Sequence, residues 1–180
     1  MGQEITLAQR LGRTAHISPL RMKLLRLWKD SPDAPAVFED WLVDVANARG
    51  ARVVMRESMK RSIETYSREI TTEELVVGLL LPQNLDRPQI LRLAAQFISR
   101  GSVDFQKLVT LAVQERVGFM LAELARQACQ VDARHSLWSR ILEEFGSERV
   151  PRSSLLHYTR LAEPIMPDGR VSDGRWTLVS

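Results

Sequence analysis

The side chains that could hold a metal or attack an electrophile are few in this sequence, and their spacing argues against either chemistry. His16, His135 and His157 each lack a second histidine or a carboxylate at ligand spacing on a helix face, so no metal site is expected. His135 reads as a surface histidine ahead of a helix start. Cys129 lies among Ala125, Ala128 and Val131 with no adjacent histidine to generate a thiolate, and is expected to be buried and inert. As the sole cysteine it can form neither an internal disulfide nor a cysteine zinc cluster. The glycines fall where helices should end, not in a phosphate loop, a serine elbow or a dinucleotide fingerprint. The acid pairs Glu73–Glu74 and Glu143–Glu144 suit capping and solvated helix faces, and the first pair favours the positive end of a helix dipole. No cofactor and no catalytic residue are expected, and an enzyme would need a site assembled from residues distant in sequence.

Basic residues offer the second kind of chemistry. The formal net charge is only +3, although the pI is about 9.4 because arginine dominates the cations. Arg21, Lys23, Arg26 and Lys29 share one side of a helix opening near Ser18, and Arg52, Arg56 and Lys60 recur every four residues along another. Arg21, Lys23, Arg26, Arg52, Arg56 and Lys60 are therefore the candidate nucleic-acid contacts, provided the two helices bring them onto one face. On the second helix Glu57–Arg61 and Glu64–Arg68 have ion-pair spacing, and a stripe of three cations alone gives only weak, salt-sensitive phosphate binding. The segment 7–12 followed by 17–23 is too widely spaced for a helix-turn-helix, which needs a turn of about three or four residues.

Trp28, Trp41 and Trp138 lie on apolar helix faces and are expected to be packing residues. Trp176 lies beyond the helices and, with Val179, is the candidate anchor by which the C-terminal arm docks on the body or on a neighbouring subunit.

The elements that must position these groups are helices throughout. A short helix over 5–11 stops at Gly12; Ser18–Pro19 opens one carrying Leu20, Leu24, Leu27 and Trp28 inward; Asp33 can cap the next, with Val37, Phe38, Trp41, Leu42 and Val45 buried. A third long helix is expected over 51–68. Thr71 and Glu74 have capping-box spacing ahead of a helix apolar nearly all round, 75–81, which should be central. Asp86 and Gln89 repeat that spacing around Pro88, Asp104 starts a long helix with a break near Gly118, and Ser136 caps a helix closed by Gly146. A last short helix is expected over 151–163. Beyond Pro164 the turn signals Pro167-Asp168-Gly169 and Asp173-Gly174 precede an extended stretch, 175–179.

The expected fold is thus all-α, an irregular or orthogonal bundle of about seven to nine helices, organised as one domain over 1–164 with a hairpin-like or extended arm over 165–180. The longest apolar run, 75–81, is far short of a bilayer span, polar residues interrupt any N-terminal secretory signal, and a cytoplasmic location is expected. No family signature assembles from these residues. The function expected is a non-catalytic one, binding a protein partner or a second copy through helical faces, with nucleic-acid binding as the rival and membrane association excluded.

Overall fold

A computed structural model describes residues 17–51, 68–84, 87–131 and 134–148. Among them are seven helices and no strand: α1 (Pro19–Asp30), α2 (Phe38–Ala48), α3 (Thr72–Leu79), α4 (Pro88–Ser99), α5 (Phe105–Glu115), α6 (Gly118–Val131) and α7 (Ser136–Phe145). A 3₁₀ turn, Pro82–Asn84, follows α3. The expected helices over 5–11 and 151–163, most of the one over 51–68, and the arm over 165–180 lie outside the described residues.

The short, strongly apolar α3 is the hub, touching α1, α2, α4 and α5. Leu75, Val76, Val77, Leu79 and Leu80 are fully buried, as an all-round apolar helix demands. Its start is the capping box read from sequence: the Glu74 amide donates to Thr71 Oγ1 at 3.3 Å and the Thr71 amide to Glu74 Oε2 at 2.8 Å. Its end is tied by Asn84, fully buried, whose Nδ2 donates to the Leu79 carbonyl at 3.0 Å. Gly78 brings α1 and α2 close, because a Cβ there would stand 3.0 Å from Leu24 Cδ1 and 3.6 Å from Leu42 Cδ2.

Two other starts follow local chemistry. Ser18 accepts from the Arg21 amide at 3.2 Å with Pro19 as the first residue of α1, and Asp104 accepts from the Lys107 amide at 3.0 Å to open α5.

Three starts differ from expectation. Asp33 does not cap α2, which begins only at Phe38 after an uncapped Val37. The contacts made instead are those of Trp28, whose Nε1 donates to the Pro35 carbonyl at 2.9 Å and whose ring meets Phe38 edge-on at 5.7 Å, tying a non-helical linker that turns at residues 32–33. Val37, expected inward, is consequently 39% exposed. Ser136 is the first residue of α7, and His135 holds the cap position without a capping bond, its Nε2 3.0 Å from the Ser99 carbonyl instead. At α4, Arg87 precedes Pro88 with no side-chain cap, and Asp86 lies outside the described residues.

The break expected near Gly118 is present, with a different division of labour. Arg116 takes the left-handed conformation, φ 58°, that ends α5, while Gly118 is required by packing. A Cβ at Gly118 would lie 2.5 Å from Phe145 Cδ1 and 2.6 Å from Glu148 Oε1, where α6 meets the end of α7. Gly118→Ala should therefore overpack this junction and lower stability by about 1–3 kcal/mol in urea unfolding, and a variant as stable as the parent would contradict the packing.

Candidate functional site

Of the six basic candidates, the structure describes Arg21, Lys23 and Arg26; Arg52, Arg56 and Lys60 lie outside the described residues, as do Trp176 and Val179. Helical spacing divides the three. Arg21 turns toward α5, where its Nε donates to Glu115 Oε2 at 2.8 Å. Lys23 turns toward α3, its Nζ 2.7 and 2.9 Å from the two oxygens of Glu74. Arg26 points to solvent, in line with Met22 and Lys29 on the outward stripe of α1.

The same economy holds for other cations. Lys107 meets Glu73 at 3.4 Å, Arg87 meets Asp40 at 3.4 Å, and Arg126 meets Glu123 at 3.0 Å. Arg49 donates to the Ile70 carbonyl, Arg100 to the Gly50 carbonyl just past α2, and Arg126 also to the Gly146 carbonyl at the end of α7. Helix C-termini leave carbonyls without intrahelical donors, and guanidinium groups bond the chain just past two such ends, at Gly50 and Gly146. Arg140 stacks on the Phe105 ring at 3.9 Å. Among the described residues, several of the arginines that raise the pI thus link one part of the fold to another.

The neighbouring acids Glu73 and Glu74 form the densest polar junction. Glu73, expected on a solvated face, is buried and accepts from the Asp104 amide at 2.9 Å, fastening the start of α5; Glu74 faces α1 through Lys23. Burial pushes both carboxyls up, but the bonds from the Asp104, Glu73, Thr71 and Lys107 groups outweigh it at Glu73, and those from Lys23 and Thr71 outweigh it at Glu74, leaving both below the ordinary value. A depressed carboxyl contributes stability that is present above the unfolded value, 4.5, and lost as pH falls through the folded one. The melting temperature should fall below that pH, and Glu73→Gln/Glu74→Gln should flatten the decline; an unchanged slope would refute the assignment. Asp44 acts oppositely: burial and then Asp40, one turn back, raise its carboxyl, so its contribution weakens as pH rises.

The remaining reactive residues do not converge. His135 is half-buried, not on the surface, its ring 6.1 Å from Trp138 and its Nδ1 enclosed without a partner. Cys129 is half-buried against the core. Among the described residues no three histidine, cysteine or acidic side chains are grouped to hold a metal ion. Trp41 and Trp138 are core residues and Trp28 packs against the core, as their apolar faces require.

Among the described residues the exposed large apolar side chains are Ile17, Met22, Val37 and Val113, and only the first two stand close together in sequence, at the start of α1, a pair that sequence reading did not single out. Ile17 is 50% and Met22 55% exposed, and they occupy the N′ and N4 positions of a hydrophobic staple around the Ser18 cap. Arg21 stands between them in sequence. A staple was legible from Ile17-Ser18-Pro19 and Met22; its exposure was not.

Comparison of the chain with protein-family models, with curated proteins and with solved structures finds no match. The class defined by fold and surface is that of an all-helical domain, and no helix among its described residues is long and apolar enough to cross a membrane.

Proposed function

We propose that this chain is a non-catalytic helical domain that works by association, with a protein partner or with a second copy of itself, through the start of α1. The observation that carries this reading is the exposed apolar pair Ile17 and Met22 beside Arg21, since methionine and arginine are favoured at the centres of protein interfaces. Reading nucleic acid through α1 draws less support, because Arg21 and Lys23 are already turned toward carboxylates.

Sedimentation across a concentration range, together with capture on the immobilised chain, tests the proposal. The parent should gain mass or retain a partner, and Met22→Glu should abolish this while leaving the melting temperature essentially unchanged, as expected for a surface substitution. A monomeric parent that retains nothing sensitive to Met22→Glu overturns the reading. Salt-dependent retention of DNA or RNA would replace it with the nucleic-acid alternative.

A further inference from the structure

The pairing of Arg21 with Glu115 is one-sided. The Glu115 side chain is 2% exposed and that of Arg21 37% exposed, and the bond between them runs through Nε alone, at 2.8 Å. Glu115 Oε1 is enclosed and receives no hydrogen bond, so the contact is not the two-point fork that a guanidinium and a carboxylate can form. Among the described residues the Nη1 and Nη2 groups of Arg21 have no protein partner.

We propose that Arg21, anchored through Nε by Glu115 and flanked by exposed Ile17 and Met22, receives a carboxylate of a protein partner end-on through Nη1 and Nη2. This rests on the association reading above and names the chemistry its partner presents. A guanidinium held by a buried anchor loses less rotamer freedom on binding than a solvated one, which is how preorganisation strengthens a weak contact. The planar fork matches a carboxylate, and the apolar neighbours suit a partner whose acid is accompanied by apolar side chains. A polyanion is less well served. Glu115 offsets the charge of Arg21, and Glu74 that of Lys23, so the site offers directional donors without a surplus of positive charge.

The test uses the whole chain with acetate as probe, followed by NMR at the arginine side-chain nitrogens. Arg26, exposed on the same helix, is the internal reference. Arg21 should saturate at about a tenfold lower acetate concentration than Arg26, reflecting the preorganised fork. Glu115→Gln, which keeps the shape of the anchor and removes its charge, should erase most of that advantage. Equal behaviour of Arg21 and Arg26 in the parent overturns the proposal without any variant. Tighter saturation of Arg21 by inorganic phosphate, with no such preference at Arg26, overturns the carboxylate assignment. Loss of parent self-association in Arg21→Lys assigns the site to a second copy and overturns the partner. Failure here with association still sensitive to Met22→Glu would leave the proposed function standing, so the two are separable.

Discussion

Replacing Trp41 by alanine is expected to destabilise the domain by about 3–5 kcal/mol, a large share of the roughly 5–15 kcal/mol that holds a typical domain folded. Trp41 is fully buried, with its ring stacked 6.0 Å from Phe38. Its Nε1 donates at 3.2 Å to Ser31 Oγ, which itself donates to the Leu27 carbonyl at 2.8 Å. One side chain therefore fills the core under α2 and closes the last turn of α1. Alanine leaves a cavity too large for neighbouring leucines to fill without moving helices, and it takes the indole donor from the buried Ser31 oxygen, which keeps only its own bond to the Leu27 carbonyl. Trp41→Phe separates the contributions: most apolar volume stays, the indole donor goes, and the loss should shrink to about 1–2 kcal/mol. Urea unfolding followed by far-ultraviolet circular dichroism measures both, and a Trp41→Ala loss below about 1 kcal/mol would show that the ring does not bear on the core in this way.

The second large effect is expected from Arg21→Ala. With Arg21 gone, Glu115 keeps a side chain only 2% exposed and neither oxygen retains a side-chain partner among the described residues. Breaking a fully buried pair on one side costs about 3–5 kcal/mol; because Arg21 is more than a third exposed and water can reach the vacated place, about 2 kcal/mol is the appropriate expectation. The double variant Arg21→Met/Glu115→Leu should recover most of it, since apolar replacement of a buried pair removes the stranded charge as well as the attraction. A double variant as unstable as Arg21→Ala would mean that the loss comes from helix α1 itself and not from the exposed need of Glu115 for a partner.

These two sites mark where sequence reading succeeds and where it stops. That Trp41 is a core residue follows from Phe38, Trp41, Leu42 and Val45 recurring on one helix face, and burial confirms it. Leu108, Ala112 and Glu115 share the buried face of α5 by the same kind of spacing, but that Glu115 meets Arg21 has no local signal, because the two are 94 residues apart. The basic stripe of α1 likewise looked uniform along the chain. Its members separate only once α3 and α5 present Glu74 and Glu115 to Lys23 and Arg21, leaving Arg26 outside.

By itself the sequence determined what depends on atoms within a turn of one another. The caps at Ser18, Thr71 and Asp104 each close a bond to an amide three residues on, and the all-round apolar composition of α3 makes it central in whatever bundle forms. Tertiary structure decided what depends on atoms brought from elsewhere. Asp33 and Ser136 carry good capping side chains, but the contacts of Trp28 with Pro35 and of His135 with Ser99 place the chain so that those side chains cap nothing. Gly118 reads as a backbone break and is held to glycine by Phe145 and Glu148, and Val37, expected inward, remains in solvent, as do Ile17 and Met22. The physical distinction is range: a cap is a bond between near neighbours on the chain, whereas burial, charge pairing and an exposed association surface are properties of what packs alongside.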